Sequence, residues 1–445
     1  MTITKHKKIK NVTFKRRLNT IVLPIQGEIQ EVKSGWKKVY VYGEPYTRGY
    51  AHGFLLFEEL TKIKTVLPFI IKDQLNITIS EYMKKNKELI VPIVKKRYHE
   101  FYEELRGISH GARYKGVDIS IDYLIAWNAF LSLYSYYQDG SNIEKCTAFI
   151  ACGNATENND IIMAHNTHSD FATGQLLNIV LHVNPTSGNE FVMQTSAGFI
   201  ASSTDWFIAK NRIIGCETTI SNINYKPLFG APYFCRIRQV MQYANSLDDC
   251  VNIMSENNAG DYACSWLFGD IKSNEIMLFE LGLNTYNIQK TKNGVFYGMN
   301  NPISFKIRNL ETINNSISDI STSSGSRNER LNYLLNTEYY GKINIQNAKI
   351  IVSDHYDSFL KKEHIGFRNI CRHSESEEEP KKALYGSIDS KITNSKIASE
   401  MKFWGRFGSG CGRSFKIKEF VNKYSEYKKW ENVVDDFKPY RWVIL

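Results

Sequence analysis

Apolar and polar positions change period along the chain. Lys37-Lys-Val-Tyr-Val-Tyr42 alternates and predicts a strand. Gly43-Glu-Pro-Tyr46 turns it into a helix over Arg48–Leu60 that opens with small residues. Residues 61–106 carry apolar positions at helical spacing, with charges on the other face, as in KKNKE and KKRYHEFYEEL. Gly107-Ile-Ser-His-Gly-Ala112 is a second glycine-marked joint, and Asp122–Tyr136 reads as one helix. From Cys146 to about Asn301 short strands alternate with turns: Leu177–Val183, Glu190–Gln194, Trp206–Ala209 and Arg212–Ile220. Helices follow at Tyr233–Ala244 and Leu247–Glu256, then strands at Cys264–Gly269, Glu275–Leu281 and Thr285–Gln289. Strands, two helices and strands again predict an α+β layered fold, not alternating βαβ units. Residues 302–348 read as helix and linker with a serine cluster at 321–326; Trp404–Phe415 is glycine-rich, and its run Gly408-Ser-Gly-Cys-Gly412 reads as a tight turn.

The stretch Lys145–Asp170 reads as a β-hairpin. Thr147–Cys152 and Ile161–Ala164 are apolar runs, and Gly153–Asp160 is a polar turn. Asp139–Lys145 is polar and turn-rich, the kind of segment that sits exposed and is readily cut. A cysteine at the head of an apolar strand is ordinarily a small buried hydrophobe. Behind a cuttable loop it also fits an N-terminal nucleophile. Cleavage of Lys145–Cys146 would give Cys146 a free α-amine, whose reference pKa near ~7.7–8.0 suits a general base for its own thiol.

Composition narrows the class. The 445 residues are 42% hydrophobic and 23% charged, enough apolar material for a large core. The net charge of +10 would suit an anionic membrane surface or nucleic acid, but much of it sits in the arm Lys5–Arg17. No nucleic-acid motif accompanies it. No run reaches the ~18–20 apolar residues of a membrane span, and no apolar segment of signal-peptide length follows the basic start, so the chain reads as intracellular. Eight cysteines include no CxxC pair. His165 and His168 stand three apart without a third ligand at convincing spacing, and no metal or organic cofactor is assigned.

Further motifs carry a resemblance. They are Cys146-Thr-Ala, His165-Asn-Thr, Thr204-Asp-Trp-Phe207, Glu217-Thr-Thr-Ile-Ser-Asn222, Ser353-Asp-His-Tyr-Asp357, Ile370-Cys-Arg-His373 and Met401-Lys-Phe-Trp404 with Ser409-Gly-Cys-Gly412. In these, over nearly its whole length, the chain resembles the phospholipase B-like proteins, a branch of the N-terminal-nucleophile hydrolases. Its front half is also similar to penicillin acyltransferase-like relatives. The resemblance implies an αββα sandwich, two stacked antiparallel sheets between helices. It implies a precursor cut at Lys145–Cys146 and substrates that are acyl esters of glycerophospholipids, although neighbouring families cleave amides. Members commonly enter the secretory route, which this sequence as read does not, and often carry an aromatic where His168 stands. The expected organisation is a basic arm over 1–35 and a single domain over 36–445, processed into a helical part, 36–145, and a nucleophile-bearing part, 146–445.

The expected chemistry is acyl transfer through Cys146. Asn222 and Asn300 stand after strands, where the related bile-salt hydrolases place catalytic asparagines. A side-chain amide aimed at an oxyanion contributes ~3–4 kcal/mol. Asn224 and Asn301 are their alternatives, and a turn asparagine is the plain reading of each. Arg327 resembles an arginine near the nucleophile and is expected to favour its thiolate; Arg330 is the alternative. His165 is assigned to the site, with Asn166, Thr167, Asp170 and Trp206 as substrate-contacting residues. Asp205 and Glu217 order the site or a turn, and His355 and His373 read as buried hydrogen-bonded histidines. The expected partner is a phospholipid or another acylated small molecule at an anionic membrane, with no nucleic acid. Two rival readings are an amidase or acyltransferase on N-acyl amines and a non-catalytic lipid-binding or structural protein that keeps the fold.

Overall fold

The computed structural model describes residues 25–31, 34–137, 146–210, 212–228, 230–313, 316–380 and 382–445. Most of the basic arm and Lys145, on the expected cleavage bond, lie outside them. The chain opens with strands β1 (Gly27–Glu31) and β2 (Lys37–Gly43). Residues 27–31, assigned above to the arm, are therefore part of the sheet: Ile29 pairs with Val39 and Gly27 with Val41. Seven helices follow: α1 (Pro45–Leu55), α2 (Phe57–Leu75), α3 (Ile79–Leu89), α4 (Val91–Arg97), α5 (His99–Tyr114), α6 (Ile121–Asn128) and α7 (Phe130–Tyr137). The single helix expected over 122–136 breaks at Ala129. Asn128 turns its amide outward to the carbonyl of Gly198 (2.8 Å) and accepts from the amide of Ile200 (2.9 Å).

The glycine-marked joints are where α1 and α5 touch. A Cβ on Gly49 or Gly53 would come within 2.0 Å of the carbonyl oxygens of Glu104 or Ile108, and one on Gly107 or Gly111 would strike Tyr46 or Tyr50. Glycine thus lets the two backbones approach closely. Arg48 of α1 then reaches Glu104 of α5 (2.7 Å), which also takes Arg238 (2.8 Å).

Strands β3 (Cys146–Gly153) and β4 (Asn159–Asp170) form the expected hairpin and lead into helix α8 (Phe171–Gly174). After them come β5 (Ile179–Pro185), β6 (Phe191–Thr195), β7 (Phe207–Ala209), β8 (Ile213–Thr219), helices α9 (Tyr233–Tyr243) and α10 (Leu247–Ser255), β9 (Cys264–Asp270), β10 (Glu275–Leu281), β11 (Tyr286–Thr291) and β12 (Gly294–Gly298). The last third holds α11 (Phe305–Glu311), α12 (Ser323–Tyr333), α13 (Ile345–Val352), the short β13 (Tyr356–Asp357) and β14 (Lys362–Glu363), β15 (Tyr385–Asn394), α14 (Ser395–Ser399), β16 (Trp404–Phe407), α15 (Ile417–Lys423) and β17 (Val443–Ile444). The serine cluster is the first turn of α12, because the Thr322 hydroxyl accepts from the amide of Gly325 and caps it.

Among the described residues a larger sheet has nine strands in the order β1-β2-β5-β6-β7-β8-β9-β10-β11, a smaller one six in the order β12-β3-β4-β15-β16-β17, and β13 pairs with β14 alone. Every pairing in them is antiparallel except β2 with β5. Pleat alternation explains the layering. Ala148 and Ile150 belong to the apolar cluster shared with Ile214 and Phe268 of the larger sheet. Phe149 and Ala151 belong to a second cluster with Leu331 after Arg327 on α12 and with Ile351 of α13. The larger sheet carries α9 and α10 on its other side, so the arrangement is the expected α+β sandwich of stacked sheets flanked by helices.

Candidate active site

Cys146 opens β3, which lies between the edge strand β12 and β4 in the smaller sheet, and pairs with Thr167 of β4. It is 4% exposed. Its side chain lines a pocket between the sheets. One wall is apolar, with Trp127, Phe130, Leu131, Leu177 and Phe199; the other is polar, with Thr167, Ser203, Thr204, Asp205, Glu217 and Tyr262. Burial pushes the Cys146 thiol well up, and the charge of Glu217 pushes the same way. The thiol therefore stays protonated until a base is supplied.

Arg327 is fully buried on α12 and holds the Cys146 backbone, not its sulfur. Its Nη1 donates to the Cys146 carbonyl (2.9 Å) and the Thr147 hydroxyl (2.8 Å), and its Nη2 to Asn300 Oδ1 (3.1 Å). The nearby cation whose charge favours the Cys146 thiolate is Lys391. The role expected of Arg327 thus divides: Arg327 positions, and Lys391 supplies the charge. Lys391 is buried on β15 and donates to Thr167 Oγ1 (2.7 Å) and to Asp389, which also accepts from Gln194 (2.7 Å). Arg330, the alternative to Arg327, pairs instead with Asp354 (2.6 Å).

Asn300 sits in the left-handed region at φ +76°, just after β12. Its amide donates to the Thr219 carbonyl (2.9 Å), and its own carbonyl accepts from the Ser221 amide and hydroxyl. This ties the end of β12 to the end of β8. Asn222 is also left-handed, at φ +57°, and its carbonyl accepts from the amide of Ile313. It holds a turn and does not line the Cys146 pocket.

The polar residues of β4 lie within the strand, not beyond its end as the pattern suggested, so alternation divides them. His165 is fully buried, donates through Nε2 to the Glu217 carbonyl (3.1 Å), and sits 6.4 Å from the Trp206 ring. Burial lowers its basicity and that of His168, so both rings are neutral. The odd spacing of His165 and His168 sets them on opposite faces of β4, which is why they form no metal pair. Neither ring nitrogen of His168 has a partner among the described residues. Of the four residues expected to contact substrate, only Thr167 lines the pocket. Asn166 faces outward and is consumed by structure, donating to the carbonyls of Val352 (2.8 Å) and Ile370 (3.1 Å) and accepting from Ser390. Asp170 caps α8 through the amide (2.8 Å) and hydroxyl (2.6 Å) of Thr173. Trp206 is core, edge-on to Phe403.

Sequence reading missed Lys391, Asp389, Tyr262 and Tyr233. Tyr262 donates to Glu217 (2.9 Å), and Tyr233 stands beside it on the pocket wall. The signal available was Asp389-Ser-Lys391, two charges within an otherwise strand-like run.

No protein-family model matches the chain. It is 29% identical over 271 residues to a protein of Archaeoglobus fulgidus described as an uncharacterized protein, covering 56% of this chain and 44% of that one. The chain thus spans less than half the length of the relative it matches.

Proposed function

We propose that the chain is a cysteine hydrolase of the N-terminal-nucleophile type, similar to the phospholipase B-like proteins, that removes fatty acyl groups from glycerophospholipids. The observation that supports this reading is the placement of Cys146. It heads a buried strand of the smaller sheet, has its carbonyl held by Arg327, and opens on a pocket with one apolar and one polar wall. Maturation begins with attack of the Cys146 thiol on the Lys145 carbonyl. The amide C–N bond breaks, a thioester forms, and water releases the Lys145 carboxylate and the Cys146 amine. That amine then takes the thiol proton as sulfur attacks the substrate carbonyl. The alcohol leaves with the proton, and water cleaves the acyl-cysteine to fatty acid and thiol. The apolar wall suits an acyl chain, and Thr167 with Lys391 and Asp389 keeps the adjacent strand in register.

The test is mass analysis of the Cys146 peptide after incubation with a diacyl phospholipid and, separately, with an N-acyl amine. A fatty-acyl adduct and free fatty acid from the phospholipid support the reading. Turnover of the amine alone would replace it with an amidase. No adduct from either, on a chain already cut at Cys146, contradicts acyl transfer.

A further inference from the structure

On the outward side of the smaller sheet lies a second cluster of chemistry-bearing residues that the acyl-transfer reading does not use. His355 comes from the segment after α13, Cys371 and His373 from the segment before β15, and Cys411 from the turn after β16. One donor atom of each lies within 4.8 Å of every other. Cys371 and His373 are buried, and His355 and Cys411 are partly so.

The separations fit one ion. A tetrahedral zinc with Zn–N near ~2.0–2.1 Å and Zn–S near ~2.3 Å sets N···N at ~3.4 Å and N···S at ~3.6 Å. His355 Nε2 and His373 Nε2 are 3.3 Å apart, and His373 Nε2 and Cys411 Sγ 3.5 Å. The surroundings fit as well. His373 Nδ1 meets Glu375 Oε1 at 2.9 Å, which fixes the tautomer and turns the Nε2 lone pair inward. The Ser409 hydroxyl lies 3.3 Å from Cys411 Sγ, placed to donate to a thiolate. Two thiolates would balance a divalent charge, and two soft and two imidazole donors select zinc over magnesium or calcium. All four positions come from the protein, the pattern of a closed structural site.

We propose that His355, Cys371, His373 and Cys411 form a four-coordinate zinc site. Its role is to rivet three segments across the outer face of the smaller sheet. Cys371 also donates its amide to Asp354, the partner of Arg330 on α12, and the neighbouring Ile370 carbonyl receives Asn166 of β4. The site thus joins the helix that carries Arg327 to the strand that pairs with Cys146. The assignment stands apart from the acyl-transfer reading and needs no activity to be tested.

The experiment is metal analysis and zinc-edge absorption spectroscopy on the full chain, purified from zinc-supplemented medium and passed over a chelating resin. The expected result is about one zinc per chain with a first shell of two sulfurs and two nitrogens. Cys371→Ser with Cys411→Ser should lose the ion. Glu375→Gln, a milder change, should keep the fold and release zinc to a chromophoric chelator about tenfold more readily. Three results on the wild-type chain would overturn the site: no zinc, a first shell without sulfur, or a peptide carrying a Cys371–Cys411 disulfide. Retention of zinc by the double variant would do the same.

Discussion

On the inward face of β3, Cys146, Ala148 and Ile150 meet the larger sheet; on the outward face, Thr147, Phe149 and Ala151 meet α12 and α13. On the inward side a pocket opens at Cys146, and burial holds the Cys146 thiol and the nearby His165 ring neutral. The outward side is filled by fixed polar contacts: Arg327 on the Cys146 carbonyl, Asn166 on two carbonyls, and the four-residue cluster beyond. A two-residue period has put the pocket on one side of a strand and the contacts that fix the strand on the other. Residues adjacent in sequence therefore differ in kind, and the comparison can be broken from either side.

The largest effect should come from the outward side. Arg327→Ala removes the donor shared by Cys146, Thr147 and Asn300 and leaves their oxygens buried. The expected loss is ~3–4 kcal/mol in urea unfolding, with cleavage at Lys145–Cys146 abolished. An equally stable, normally cut variant would remove Arg327 from the account. Next is Asn166→Ala, which strips two donors and one acceptor from the outward side and should cost ~2–3 kcal/mol. Thr167→Val, one residue along on the inward side, should cost less and act on turnover instead. If both altered stability alike and neither altered turnover, the division of faces would fail.

Acid should act through the two buried histidines of β4, one on each face. His165 and His168 are neutral in the fold and depressed below the ordinary 6.5. The unfolded chain binds protons there and the native one does not, so stability is present above pH 6.5 and falls as pH drops below it. Each histidine contributes up to ~1.4 kcal/mol per pH unit of this slope. Urea midpoints measured from pH 7.5 down to 5 should decline, and His165→Gln should flatten the decline. The smallest effect belongs to Asn222. Its left-handed backbone suits glycine, so Asn222→Gly should shift stability by no more than ~0.5 kcal/mol and leave acyl release unchanged. A large loss of turnover would return Asn222 to catalysis, where its position after a strand first placed it.

Much of the architecture was legible because periodicity reports burial. The hairpin, the strands from Ile179 to Leu281 and helices α9 and α10 fall where alternation and helical spacing put them. Cys146, Arg327 and Asn300, chosen by resemblance, prove to be joined by hydrogen bonds. Other features had no local signature. The strand β15 carries Asp389 and Lys391, whose charges argue against a buried strand until each is seen to satisfy the other. The tight turn expected over Gly408–Gly412 is present, with Gly408 and Gly412 at positive φ, but nothing in the glycine-rich run announced the strand Trp404–Phe407 before it. Substrate contacts were assigned to Asn166, Asp170 and Trp206 because polar or aromatic residues clustered near the nucleophile. Alternation and helix capping instead committed them to structure. The His355, Cys371, His373 and Cys411 cluster is drawn from three separate segments, so no spacing along the chain announces it.

The central claim is that Cys146 is freed to become its own base. It is tested most directly by intact mass and N-terminal analysis of the purified chain beside Cys146→Ala. The account predicts a wild-type fragment beginning Cys146-Thr-Ala and an uncut variant. A wild-type chain that stays whole under every condition in which it remains folded, or a variant cut at the same bond, would contradict it.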